Sequence, residues 1–278
     1  ATNLSNIKNP IIRPHDIYFD NERNMYISEM GNGEKGGGKI SVFDRKYNLV
    51  KEIGTEMYEN FGMYNSIMIY KNNNNFFITE NGKNRILRFN KNYEFIDWIG
   101  KKNDKNFPEE NETNLIDKNL ININLKNPHA VKIGPNDNIY IADTGNHRIL
   151  RFGTNGEFKG WIGKREDGKI NNSWQKKGIS IKGSELGAFN APNDMIITNN
   201  YIYVSETEND RIVRISLDGK NLGRISIDKN SKKYFWSNEN INKINLKHPF
   251  AIKIQDNAIF IADRRNNRIK IIYSKNLF

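Results

Sequence analysis

The sequence predicts an all-β fold assembled from repeated antiparallel units. Three observations predict it. Residues 139–152 (IYIADTGNHRILRF) read as a hairpin, recur in three further close copies and have a looser copy near the start. Apolar residues nowhere follow the 3.6-residue period of an amphipathic helix. The copies are spaced at 51, 63, 63 and 57 residues, measured between Glu29, Glu80, Asp143, Glu206 and Asp263. Self-similarity at such a period marks a repeat architecture.

The hairpin follows from its residue types. Ile139, Tyr140 and Ile141 are β-branched or aromatic and suit a pleated, half-buried surface. Asp-Thr-Gly-Asn at 143–146 is turn chemistry, with Gly145 free to take positive φ. Residues 148–152 then alternate, Ile149 and Phe152 against polar neighbours. The close copies are 77–80 with 84–89, 203–206 with 211–215, and 260–263 with 268–271; the looser one is 26–29 with 39–43. In each close copy an acid and an arginine stand five residues apart: Glu80/Arg85, Asp143/Arg148, Glu206/Arg211 and Asp263/Arg268. A pair present once per repeat reads as structural, with a carboxylate receiving turn amides and an arginine tying neighbouring repeats together.

Each hairpin has a preamble. An apolar residue stands three before a proline in Ile11/Pro14, Leu125/Pro128, Phe189/Pro192 and Leu246/Pro249, with Phe61/Tyr64 as a variant, and a short apolar strand follows. After the hairpin a fourth strand ends in Gly, as in Trp98-Ile99-Gly100 and Trp161-Ile162-Gly163. Four short antiparallel strands per unit make the blade of a β-propeller. Counting predicts five blades, with six as the alternative, in a single domain over residues 1–278. The chain stops after the third strand of its last blade, so residues 2–9 are expected to pair with 270–274 and close the ring as an N-terminal strand.

These units resemble the NHL repeat family. Its order of Pro, short strand, apolar-Ala-Asp turn, Asn and Arg-Ile is met most fully by residues 128–152, and Gly187-Ala-Phe-Asn-Ala-Pro192 matches the family's approach to that proline. The resemblance implies a fold rather than a function. Propellers of this family more often have six blades, so five is a departure.

Composition narrows the function classes. The chain has 278 residues, 37% hydrophobic and 11% aromatic, enough for a core. No apolar run reaches the ~18 residues of a membrane span. There is no cysteine, hence no disulfide, thiolate metal site or cysteine nucleophile. A net charge of +11 attracts anions, although Lys, Asn and Ile rise together as a composition bias would make them. The expected protein is a soluble monomer, periplasmic or secreted after removal of a targeting segment.

Two groups of residues vary among the repeats and are the site candidates. The first follows the preamble and should line the mouth of the central channel: His15 and Asp16, Asn65, His129, and Asn193 and Asp194; Arg264 joins them because Ala262-Asp263-Arg264 is similar to the segment that carries the catalytic arginine of amidating lyases. Imidazole and carboxylate suit a divalent cation, so His15, His129 and Asn193 are the metal candidates, for Zn or Ca. The Pro-His steps at 14–15 and 128–129 are similar to those of amidating lyases, which are NHL-like propellers with zinc on three histidines. Asn193-Asp194 is similar to the Asn and Asp of calcium-dependent lactonases. Phe250 stands where a third histidine would be needed.

The second group lies in the insertions at 101–127, 164–190 and 228–247, which should share one face with the Gly-rich loop at 31–38. The second insertion has six basic against three acidic residues and the third five against two. Trp174, and the run Lys232, Lys233, Tyr234, Phe235 and Trp236, put aromatics beside cations as stacking surfaces do. The sequence therefore points to a non-catalytic recognition module for a protein, glycan or nucleic acid on the insertion face. The alternative is a metal-dependent lyase or hydrolase at the channel mouth, with the metal as its cofactor.

Overall fold

The computed structural model describes residues 11–20, 22–30, 38–54, 66–72, 75–100, 124–153, 156–227, 230–231, 233–239 and 244–273. Among them the backbone forms β-strands joined by turns and short 3-10 segments, with no α-helix. The first sheet holds β1 (Pro14–Phe19), β2 (Met25–Glu29), β3 (Lys39–Phe43) and β4 (Leu49–Ile53) in sequence order. The second holds β5 (Ser66–Asn72), β6 (Asn75–Glu80), β7 (Arg85–Asn90) and β8 (Phe95–Gly100). The third holds β9 (Ala130–Ile133), β10 (Ile139–Asp143), β11 (Arg148–Phe152) and β12 (Phe158–Ile162). A small hairpin follows, β13 (Lys164–Arg165) with β14 (Ser180–Ile181). The fourth sheet holds β15 (Pro192–Ile197), β16 (Tyr201–Glu206), β17 (Arg211–Ser216), β18 (Asn221–Ile227) and β19 (Tyr234–Ser237). The fifth holds β20 (Pro249–Gln255), β21 (Ala258–Asp263) and β22 (Arg268–Tyr273). The fold is a five-bladed β-propeller of antiparallel sheets.

Two blades depart from the expected four strands. The fourth gains β19 from the third insertion, on the outer edge of β18. The fifth has three strands among the described residues, and its expected partner at 2–9 lies outside them.

The chain packs as two compact units, Ala1–Val131 and Lys132–Phe278. The core of the first is largely aromatic. Tyr26 meets Phe76, which stacks on Phe89 at 5.2 Å, with Ile40, Val42, Ile78, Leu87 and Trp98 filling between. In the second unit Tyr203, Ile212 and Ile225 of the fourth blade pack on Leu246, Ile252, Ile259, Ile261 and Ile272 of the fifth. Each of these side chains removed from water contributes about 1.5–3 kcal/mol.

Short polar side chains set the tight turns. Asp20 accepts the Glu22 and Asn24 N–H groups at 2.9 and 2.8 Å, and Asp44 accepts those of Lys46 and Asn48 at 2.8 and 2.9 Å. An Asx side chain that receives the amides two and four residues on replaces the backbone bonds a longer loop would need.

The five-residue spacing of acid and arginine has a geometric cause. The acid ends one strand, three residues make a 3-10 turn, one residue turns left-handed, and the arginine lands directly opposite the acid. Glu80 pairs with Arg85, Asp143 with Arg148, Glu206 with Arg211 and Asp263 with Arg268 in register. The left-handed residues are Asn84, His147, Asp210 and Asn267, at φ between 49 and 55°. In the third blade the positive φ thus falls on His147 rather than on Gly145, which sits inside the 3-10 turn. The turn needs its reversal at its last residue, where the chain re-enters the sheet.

Candidate functional site

The acid–arginine pairs brace the second to fifth blades. Asp143 receives Arg148 Nε at 2.7 Å and Asn146 Nδ2 at 2.9 Å. Asp263 receives Arg268 Nε at 2.7 Å, Asn266 Nδ2 at 2.9 Å and the Lys247 N–H at 2.7 Å. Burial pushes the Asp263 carboxyl up, but these donors outweigh it and hold it below the usual carboxylate range. Glu206 is fully buried, and desolvation there carries its carboxyl upward despite Arg211 and Asn209. Arg211 continues to the carbonyls of Ser184, Glu185 and Ala188, fixing the approach to its own blade.

A second motif joins consecutive blades. The residue before each proline is held at positive φ: Arg13 at 50°, Asn127 at 44°, Ala191 at 52° and His248 at 57°. That conformation is unfavourable for a non-glycine residue, and more so before proline. Its N–H is received by the left-handed residue of the preceding blade: Asn127 by Asn84 Oδ1 at 2.7 Å, Ala191 by His147 Nδ1 at 3.1 Å, His248 by Asp210 Oδ1 at 2.7 Å. Thr144 and Thr207 donate their hydroxyls to the Pro192 and Pro249 carbonyls at 2.6 and 3.0 Å.

The strand-opening candidates fall into distinct settings. His15, Asp16 and His129 are half-buried. Asp16 receives its own neighbour Ile17 N–H at 2.9 Å, and its N–H is received by Ser28 Oγ at 2.9 Å. Asp194 repeats that arrangement with Met195 at 2.8 Å and Ser205 Oγ at 3.0 Å. It also takes the Ile252 N–H at 3.1 Å and the Lys132 ammonium at 3.2 Å. Asp194 therefore links β9, β15 and β20. Its neighbour Asn193 is 3% exposed. Arg264 lies over the Phe250 ring at 5.2 Å. The structure thus gathers Asn193, Asp194, Lys132, Phe250 and Arg264 in the second unit, whereas Asn65 lies outside the described residues. Among the described residues no three His, Asp or Glu side chains gather where they could hold a metal. Both Asp194 oxygens have donors, and the Lys132 ammonium opposes a divalent cation, so these residues do not fit one.

The insertion candidates are placed against their blades. Trp174 donates Nε1 to the Leu217 carbonyl at 2.9 Å, meets Tyr140 at 5.8 Å between ring centroids and lies 4.5 Å from the Arg151 guanidinium. Trp236 packs on Tyr203 at 5.6 Å, and Arg214 is held between Trp236 at 4.8 Å and Tyr201 at 4.6 Å. Lys270 lies 5.9 Å from the Tyr234 ring. Lys233 is exposed, and Lys232 and the loop at 31–37 lie outside the described residues. In the fourth blade, sequence reasoning missed that residues 234–237 form a strand.

It also missed a surface on the second insertion. The β13–β14 hairpin is fastened by the Ser180 hydroxyl to the Asn146 carbonyl at 2.6 Å and by the Glu166 N–H to the Ile179 carbonyl at 3.1 Å. Asp167 pairs with Arg165 and Lys169, and Glu185 with Lys164. Among the described residues Lys176, Lys177 and Lys182 make no ion pair, and all three are exposed. Between them Ile179 is 61% exposed and Ile181 37%.

Antiparallel blades, four of them with an acid opposite an arginine across the hairpin and four entered through a proline, define a β-propeller built from repeats. The NHL repeat matches residues 125–152. NHL repeat-containing protein 2 of Homo sapiens is 37% identical over 90 residues, and that of Bos taurus 38% over 88 residues. Each alignment covers 32% of this chain and 11% of the relative, so the match spans about a tenth of the relatives' length. Over residues 125–152 the chain carries an NHL repeat.

Solved structures share the fold. Virginiamycin B lyase from Staphylococcus aureus, crystallised with quinupristin in a catalytically inactive form, has a TM-score of 0.54 at 17% identity, over 98% of this chain and 85% of that one. An auxiliary nutrient binding protein from Bacteroides ovatus has a TM-score of 0.58 at 16% identity, over 95% and 60%. A putative 6-phosphogluconolactonase from Bacteroides uniformis has a TM-score of 0.53 at 13% identity, over 92% and 79%. At these identities the likeness is one of fold.

Proposed function

We propose that the chain is a non-catalytic recognition module that binds an acidic, partly apolar protein segment on the arm formed by residues 164–190. The observation that carries this reading is the pair Ile179 and Ile181, exposed between Lys176, Lys177 and Lys182 on a braced hairpin. Exposed β-branched residues on a fixed strand lose little side-chain entropy on binding, and the unpaired ammonium groups draw in an anionic partner. A protein segment fits better than a nucleic acid, because the arm's aromatic ring, Trp174, is already committed to Arg151 and the Leu217 carbonyl.

The test is fluorescence anisotropy with three labelled probes: a peptide alternating Glu and Leu, a poly-Glu peptide of equal charge, and poly(U). The alternating peptide should bind tightest. Replacing Lys176, Lys177 and Lys182 together by Glu should weaken it by about tenfold at low salt, with the difference fading above ~0.15 M. Equal weakening on reversing Lys46, Lys91 and Lys220 would reduce the charge to a diffuse effect and end this reading.

A further inference from the structure

The junction between the third and fourth blades differs from two of its counterparts in chemistry rather than in geometry. There the pre-proline N–H is received by a side-chain oxygen, Asn84 Oδ1 for Asn127 and Asp210 Oδ1 for His248, both at 2.7 Å. Here the acceptor is a ring nitrogen, His147 Nδ1, which the Ala191 N–H reaches at 3.1 Å. Nδ1 stands one bond beyond Cγ, as Oδ1 does, so the shared left-handed conformation of Asn84, His147 and Asp210 aims it at the same N–H. To accept there, the ring must be neutral and carry its proton on Nε2. Ala191, at φ 52°, lacks the polar side chain with which Asn eases a left-handed backbone, and the following proline adds to the cost. The same turn fastens the arm at a second point, since the Asn146 carbonyl accepts the Ser180 hydroxyl at 2.6 Å. Residues 146 and 147 therefore hold both the stretch that carries Ile179 and Ile181 and the residue at which the segment 164–190 ends.

We infer that His147 is a proton-operated latch on the arm: neutral, it holds residues 164–190 in place, and protonated, it lets them go. A proton taken from solvent at Nδ1 sets a second N–H against that of Ala191, so a hydrogen bond becomes a contact between two donors. An imidazole ordinarily makes this change at about pH 6.5, whereas the Asn84 amide does not make it at all. His147 is half-buried, so solvent protons have access. The charged groups on the elements around it are matched. Asp143 pairs with Arg148 on its own hairpin, Lys164 with Glu185 on the arm, and Glu206 with Arg211 on the fourth-blade hairpin, while Glu208 faces His248. Glu206 also receives the Asn190 N–H at 3.3 Å, and burial pushes its carboxyl upward, which makes it the second titratable group at the end of the arm. The consequence for recognition rests on the reading of the arm given above. Ile179 and Ile181 stand on a fixed strand only while the latch is closed, so the acidic segment is held at neutral pH and released on mild acidification.

The test is hydrogen exchange read by mass spectrometry on the 278-residue chain, at about pH 7.5 and about pH 5.5, each rate divided by the intrinsic rate at that pH. Fragments covering 164–191 should lose protection by about fivefold on acidification, the factor that one hydrogen bond supports, while β10 and β11 stay protected. His147→Asn is the decisive variant. It supplies the acceptor that the second blade uses at Asn84 and suits the left-handed position, so the arm should stay protected at both pH values. His147→Ala removes the acceptor and should leave the arm loose at both. A wild-type arm equally protected at both pH values would overturn the latch. So would a loss of protection that persists in His147→Asn, which would assign the response to Glu206. Anisotropy with the alternating Glu–Leu peptide follows the consequence: acidification should weaken its binding to the wild type about fivefold more than to His147→Asn. If that peptide binds neither protein at neutral pH, the recognition reading falls, while the exchange data still decide the latch.

Discussion

The second and third blades hold the same arginine in different ways. Arg88 on β7 and Arg151 on β11 occupy equivalent places on their third strands. Opposite Arg88 stands Asp97, which receives Nε at 2.9 Å and Nη2 at 2.8 Å, both side chains being buried. Opposite Arg151 stands Gly160 at φ 132°. Its missing side chain lets the second insertion approach: a Cβ there would lie 2.8 Å from the Trp174 Cβ and 3.0 Å from the Gln175 carbonyl. Gln175 pairs with Trp161 along the outer edge of β12, and the Trp174 ring covers Arg151. The fourth blade repeats the second solution, with Gly223 at φ 106° and Trp236 over Arg214. One position thus decides whether a blade satisfies its arginine internally with a carboxylate or admits an insertion that caps it with an aromatic ring. The arm at 164–190 rests on that choice.

The largest effect should come from breaking the internal solution. Asp97→Ala leaves the Arg88 guanidinium buried without its bidentate partner and should cost about 3–5 kcal/mol in denaturant unfolding. Binding of the alternating Glu–Leu peptide, where the protein remains folded, should be unaffected. Next comes the external solution. Gly160→Ala should cost about 3 kcal/mol, combining a disfavoured φ with the contact on Trp174, and should also weaken the peptide by displacing the arm. Gly168 is the control: it has φ 83° with nothing within 4 Å of a built Cβ, so Gly168→Ala should cost only about 1 kcal/mol. Equal costs at 160 and 168 would mean that the insertion does not rely on the glycine.

Trp174→Ala should cost about 2 kcal/mol, less than a fully buried tryptophan, since its ring is half-buried. Raised protease cutting within 164–190, measured by mass spectrometry, should accompany it. An unchanged cleavage pattern would separate the ring from the bracing of the arm. The smallest effect concerns a brace common to four blades. Asp263 is held below its usual range when folded, so its contribution is present above the unfolded value and lost as pH falls through the folded one. The melting-temperature gap between wild type and Asp263→Asn should therefore be widest near neutrality and close below about pH 4. A gap that widened on acidification would reverse the assignment.

What the sequence by itself determined was whatever repeats. The strands, their order, the five blades and the acid–arginine pairs are legible because each rests on contacts within a few residues, through a period of two, a proline, or a five-residue return across a turn. Residues 139–152 therefore predict their own structure. What only the tertiary structure decided depends on residues distant in sequence meeting in space. Trp174 and Trp236 look like a stacking surface in one dimension; in three they close over Arg151 and Arg214, because glycines at 160 and 223 leave room. Lys176, Lys177 and Lys182 are indistinguishable in the sequence from Lys164 and Lys169, and only folding assigns the acids to the latter two. Asn84, His147 and Asp210 share one local conformation, but what each side chain receives is set by the neighbouring blade. Local geometry is written in a few adjacent residues, whereas pairing and exposure are properties of the packed chain.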